Sequence, residues 1–303
     1  MRDGTPVDDI EEPERRDLSL RVLSVLERAA HSGLVEVWEA GLRDWAYLDA
    51  LLELRERGAL PLRVRLLVAA GLAEQAMRHR LGDTDLEIVG VKFYADGWLG
   101  PRTCALSDSF LDEPTNAGVL FESPDHLARR IEPFAADGWT IATHAIGDRA
   151  VDSVLEAYER VYGSECSSAA PRIEHAQILR ADLVTRMAEL GIVACIQPGF
   201  AFDDADHVHR ALGKRWPMAY RWSALLDSGV RVITGSDFPI DGLEPLRGLV
   251  KLLHNPFDHL NREGAIALMT NADAGRMTLS ANPYTVKDDE LAALGILGTH
   301  PVR

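Results

Sequence analysis

Four short apolar runs in this chain end on side chains with metal or proton chemistry, and each gives way to turn residues. WTIATHAIGDR (Trp139 to Arg149) delivers His144, then turns through Gly147 and Asp148 into a helical pattern. LEIVGVKFYAD (Leu86 to Asp96) carries Lys92, PRIEHAQI (Pro171 to Ile178) carries His175, and VRVITGSDFPI (Val230 to Ile240) ends on Asp237. Short runs rich in β-branched residues read as buried strands, and Asp148 stands where it could cap the helix expected from Arg149. One histidine at a strand end, taken alone, reads more readily as a satisfied core residue than as a site. Four strand ends carrying Lys, His, His and Asp in that order are hard to attribute to packing. In a parallel barrel the catalytic residues come from the C-terminal ends of several strands, which is this arrangement.

The rest of the chain supplies the alternation such a barrel needs. Apolar residues at helical spacing from Leu18 to Ala30 stop at Gly33, and strands are expected at Leu34 to Ala40, Leu62 to Ala69 and Ile192 to Gln197. Helices are expected at Asp44 to Arg57, Leu72 to Leu81, Pro124 to Ala136, Ala150 to Val161, Ala181 to Leu190, Ser223 to Ser228 and Pro245 to Leu253. Strand followed by helix, repeated, predicts a parallel sheet. The count reaches seven strands, where a closed (β/α)8 barrel has eight. Residues 1 to 15, with Pro6, Pro13 and clustered acids, are expected to be a flexible lead-in. Asp96 to Thr103, DGWLGPRT, cannot be helical with its two glycines and proline, and is expected to form a shaped loop over the strand ends. Asp203 to Trp222 is polar and aromatic and is expected to be a loop ahead of the helix from Ser223.

Composition narrows the partners. The 303 residues are 47% hydrophobic, enough for one large core or two modest ones, and carry a net charge of -15 from 32 basic and 47 acidic residues. That excess argues against nucleic acid or an anionic membrane and leaves a small-molecule substrate as the default. Cys104, Cys166 and Cys195 are too few and too scattered for a disulfide framework, so a reducing cytoplasm is the expected compartment. The charged N-terminus has no apolar core of a signal peptide.

The combination VKFYADGWLGPRT, THAIGDRAVDSVLEAYE, RIEHAQIL, QPGF and TGSDFPI resembles the metal-dependent amidohydrolase superfamily. Within it the resemblance is to the YtcJ-like group, also called amidohydrolase family 3, which includes N-substituted formamide deformylases. It runs from about Leu34 to the end and implies an amidohydrolase-type TIM barrel over residues 16 to 275, with residues 276 to 303 a remnant of the flanking β-sandwich. It implies that Lys92, as a carbamate bridging two metals, His144 and His175 are ligands to a divalent metal, with zinc expected. Asp237 corresponds to the aspartate that binds metal and takes a proton from the attacking water. Zinc favours imidazole and carboxylate donors, and a lysine becomes a carboxylate equivalent only from its neutral amine. Asp96, Arg102, Asp148 and Gln197 are expected around the ligands or in the substrate loop. Asp96 and Asp148 are equally open to a role as turn or cap formers.

The family's His-x-His pair of the first barrel strand does not precede Leu34, and the sequence's own pair, His207-Val208-His209, falls in the later polar segment. The expectation is therefore a barrel lacking its first strand and most of its sandwich, with exposed sheet edges that favour a homo-oligomer. Three functions compete. The first is hydrolysis of C-N bonds in amide, N-formyl or cyclic amide substrates through a metal-activated water. The second is an inactive, truncated remnant acting as a binding or oligomeric module. The third, a phosphate-binding barrel isomerase, lacks the Gly-rich late loops such sites use.

Overall fold

The computed structural model describes residues 12–76, 85–270 and 275–301. The chain divides into two compact units, the boundary falling inside one strand between Val91 and Lys92.

The first unit opens with helix α1 (Glu12–His31), strand β1 (Glu36–Leu42), helix α2 (Trp45–Glu56), strand β2 (Arg63–Ala69), helix α3 (Ala70–Ala76) and most of strand β3 (Leu86–Tyr94). Here β1, β2 and β3 are neighbours in that order, with β1 and β2 parallel from Glu36 opposite Arg63 to Leu42 opposite Val68. Gly33, at φ +89°, ends α1 as expected: its amide bonds Ala30 O and the next amide reaches back to Ala29 O. Asp44 caps α2 by accepting from Ala46 N at 2.9 Å. Leu48, Leu51, Leu54, Leu66 and Leu67 form the buried interior. Each such leucine contributes about 1.5–3 kcal/mol of transfer free energy.

The second unit runs from Lys92 and contains everything that positions the candidate site. After the end of β3 come α4 (Pro124–Ala136), β4 (Thr140–Ala145), α5 (Asp148–Tyr162), the short α6 (Cys166–Ala169), β5 (Arg172–His175), α7 (Ala181–Glu189) and β6 (Val193–Ile196). There follow α8 (Phe200–Asp203), α9 (Ala205–Leu212), α10 (Trp222–Asp227), β7 (Arg231–Thr234), α11 (Pro245–Leu253), α12 (Arg262–Met269) and the short α13 (Asp288–Leu291). The pairs β4–β5, β5–β6 and β6–β7 are all parallel. Strands β5 and β6 are buried at every position; β6, Val-Ala-Cys-Ile, accordingly reads as an apolar run without alternation, whereas β5 carries Arg172 and Glu174 into the interior. Two further strands, β8 (Gly275–Leu279) and β9 (Ile296–Pro301), form a separate two-stranded sheet.

The seven parallel strands match the count made from sequence, but several boundaries and one segment differ. Helix α1 begins at Glu12, inside the stretch expected to be a lead-in. The expected helix from Leu72 is seen as α3 to Ala76, and its remainder lies outside the described residues. The segment Asp203 to Trp222 is not a loop: α9 and a 3-10 helix (Gly213–Met218) occupy most of it. Val208, Ala211 and Leu212 are buried at helical spacing, a periodicity masked in the sequence by the polar residues between them. Helix α12, capped by Asn261 through Gly264 N at 2.7 Å, was not expected at all. Asp148 is not the cap of α5; the cap position is Gly147, and Asp148 is the first helical residue. A side chain at Gly147 is impossible without rearrangement, because its Cβ would lie 2.0 Å from Ala105 O. Among the described residues no helix is long and apolar enough to cross a membrane.

Candidate functional site

Because β4 and β5 run parallel in register, with His144 opposite Glu174 and Ala145 opposite His175, their C-terminal ends bring two buried imidazoles together. The rings lie 4.5 Å apart, edge to face. Their hydrogen bonds determine which nitrogens carry protons. His144 Nε2 lies 2.9 Å from Gly97 O; a carbonyl only accepts, so Nε2 carries the proton and Nδ1 keeps its lone pair. His175 Nδ1 lies 2.7 Å from Gln197 Oε1, and the Gln197 amide is oriented by its own Nε2 donating to Cys195 O at 3.1 Å. Nδ1 of His175 therefore donates, and Nε2 keeps the lone pair. Burial first, then the neighbouring His144 and Lys92, hold the His175 pKa well below the usual imidazole value, so the ring is neutral.

Lys92 enters the same region from β3 and is buried, its Nζ 5.4 Å from the Tyr94 ring centroid. The Tyr94 ring in turn lies 5.8 Å from that of His144. Burial lowers the Lys92 pKa, against the opposing pull of Glu174, Cys195 and Asp237. Asp237 sits three residues beyond β7, exposed and at φ +51°. Lys92, His144 and His175 thus approach one another at the strand ends, with the charge of Asp237 reaching Lys92.

The surrounding residues take distinct places. Asp96 is buried and bridges two strand ends: Oδ1 accepts from Ile146 N at 3.0 Å, and Oδ2 from Gly147 N at 2.9 Å and Ala105 N at 2.8 Å. Its Oδ1 is also 3.4 Å from His144 Nε2. Gln197 touches His175 directly. Asp148 accepts from Ser107 N at 2.9 Å and Arg180 Nη1 at 3.1 Å, tying α5 to the long loop. Arg102, at φ +59°, directs its guanidinium into its own loop, to Leu99 O, Gly100 O and the Asp112 carboxylate. His207 and His209 lie on α9, where His209 packs with Trp216 and Phe257 at ring distances of 5.8 and 5.7 Å.

Sequence reasoning missed Glu174 and Arg172, a buried ion pair at 2.8 Å just before His175. Burial pushes the Glu174 pKa up, but Arg172 and Lys92 outweigh it and hold the carboxylate ionised. Charged residues inside a short strand, RIEH, were the available signal. It also missed Phe200, whose ring stacks on His175 at 5.7 Å and 18°.

The donor chemistry fits a divalent cation. Two imidazoles stand side by side, each with one ring nitrogen hydrogen-bonded as metal-binding histidines usually are and the other left to face a ligand, beside a lysine whose burial favours the neutral amine. Among the described residues no three His, Cys, Asp or Glu side chains gather into a metal-binding group.

A family profile described as the amidohydrolase family matches residues 5–303. This chain belongs to the amidohydrolase family. It is similar to YtcJ of Bacillus subtilis (strain 168), which carries the amidohydrolase name, with 34% identity over 194 residues, 63% of this chain and 36% of that protein. It is also 34% identical over 133 residues to N-substituted formamide deformylase of Arthrobacter pascens, covering 43% of this chain and 24% of that protein. Among solved structures, an uncharacterized metal-dependent hydrolase from Pyrococcus furiosus superposes with a TM-score of 0.78 at 28% identity, over 96% of this chain and 59% of that one. The aligned part of this amidohydrolase thus amounts to about a third or less of the curated relatives' length.

Proposed function

We propose that this amidohydrolase is a metal-dependent hydrolase of C-N bonds in amide, N-formyl or cyclic amide substrates. His144 through Nδ1, His175 through Nε2 and Lys92, carboxylated on its neutral amine, would hold the cation, with Asp237 beside them. A bound divalent metal such as zinc lowers the pKa of water towards ~7, making it a nucleophile near neutral pH. Asp237 then accepts a proton from the attacking water as the oxygen adds to the substrate carbonyl carbon. It returns that proton to the leaving nitrogen as the C-N bond breaks. The observation that carries this reading is the pair of adjacent imidazoles with opposite tautomers, which leaves two lone pairs at one strand edge. The small-molecule substrate and a cytoplasmic location follow as part of the proposal.

One observation favours a second reading, a folded binding module without turnover: the described residues gather no three His, Cys, Asp or Glu donors, and affinity follows ligand number. The deciding experiment assays the protein with added zinc on a panel of N-formyl, N-acyl and cyclic amides, with Asp237→Asn as the control. Amine release by the wild type that falls at least about 100-fold in Asp237→Asn supports the hydrolase, since loss of a general base costs about 10²–10⁴ in rate. Zinc binding with no turnover of any panel member supports the module.

A further inference from the structure

His175 and Ala176 are consecutive non-glycine residues at φ +79° and +43°, and Tyr220 stands at φ +53°. Such conformations are strained and persist only where their surroundings over-determine them. On one side the end of β5 is held by Ala176 N to Ala145 O at 3.1 Å and Ile178 N to Ile146 O at 2.9 Å. On the other it meets the stretch before α10, through Tyr220 N to Gln177 O at 2.8 Å, Leu179 N to Met218 O at 2.8 Å and an isolated bridge between Ile178 and Ala219.

One carboxylate oxygen joins these pieces. Asp204 Oδ2 accepts from Gln177 Nε2 at 2.5 Å and from Tyr220 Oη at 2.6 Å, and both donors are buried. The Asp204 amide bonds Phe200 O at 2.9 Å, closing the turn that carries the ring stacked on His175. Asp204 is half-buried, but both donors it meets are buried, and a buried donor left unmet is destabilising.

We propose that Gln177, Asp204 and Tyr220 form a positioning triad that fixes the His175 imidazole, clamping both the left-handed end of β5 and the Phe200 ring against it. None of the three reaches the reacting atoms; they act through His175. The effect on metal affinity rests on the proposed reading of His175 as a ligand, whereas the effect on ring orientation does not.

The test follows the His175 ring signals by NMR in metal-free protein labelled at histidine, assigned by their loss in His175→Ala, and measures zinc affinity by chelator competition. Asp204→Leu is expected to shift the His175 signals, as the Phe200 ring moves, and to lower zinc affinity roughly 10–100-fold. Asp204→Asn is expected to rescue both, since its amide oxygen can accept from both donors. Should Asp204→Leu fail to fold, Tyr220→Phe and Gln177→Leu each remove one donor and are expected to shift the same signals. Unchanged His175 signals in the folded variants would overturn the triad. A wild type that binds no zinc, with shifted signals in the variants, would instead overturn the metal reading and leave the triad standing.

Discussion

His144 and His175 lie 4.5 Å apart with opposite nitrogens protonated, His144 on Nε2 through Gly97 O and His175 on Nδ1 through Gln197 Oε1. Parallel register alone would bring the rings together. The partners from other strand ends set their tautomers, and so decide which lone pairs face a ligand.

Gln197 is one such partner, and replacing it should cost binding more than stability. Gln197→Leu leaves the His175 tautomer unfixed, and zinc affinity is expected to fall roughly 10–100-fold, as for other residues that orient a ligand histidine. Chelator competition measures this. Unchanged affinity would show that Gln197 does not orient the ring.

Gly147 is required by the backbone of a neighbouring loop. In Gly147→Ala the new methyl would sit 2.0 Å from Ala105 O, where Asp96 also binds both segments. Denaturant unfolding is expected to show a loss of about 2–3 kcal/mol, the usual cost of overpacking against atoms that cannot easily yield. A loss under about 0.5 kcal/mol would mean that the loop moves freely.

The fully buried Tyr158 hydroxyl donates to Arg172 O at 2.7 Å and lies 2.8 Å from Thr143 Oγ1, linking α5 to β4 and β5. Tyr158→Phe leaves both groups unmet and should destabilise the protein by about 1–3 kcal/mol in the same measurement. A neutral outcome would place water or another donor there.

Asp112 supplies the pH dependence. Its hydrogen bonds from Arg102 hold its pKa below the ordinary carboxylate value, so the folded state favours the ionised form. The stability this confers is present above the unfolded value of ~3.9 and is lost as pH falls through the folded one. The Asp112 side chain is 35% exposed, so solvent screening limits the gain to about 1 kcal/mol or less. The Tm difference between wild type and Asp112→Asn should be present at pH 6 and close below about pH 4. A gap that widens with acid would contradict the assignment.

The strand ends at His144 and Lys92 were legible because each joins a buried apolar run to one chemically distinctive residue. Residues acting between elements were not. Asp204 and Gln177 meet across 27 positions, and no local pattern in sequence marks that pairing. That the Arg102 guanidinium organises its own Gly- and Pro-rich loop, through Leu99 O and the Asp112 carboxylate, is likewise marked by no local pattern. The α9 segment was misread because exposed His209 and Arg210 obscure the apolar spacing beneath them.

Equilibrium zinc binding by the purified protein tests the central claim most directly, comparing the wild type with the double variant His144→Ala, His175→Ala. The account predicts that the wild type binds zinc and that the double variant, still folded by circular dichroism, loses at least about 100-fold in affinity as two of its ligands go. Equal affinity in the two proteins, or no binding in either, would contradict it.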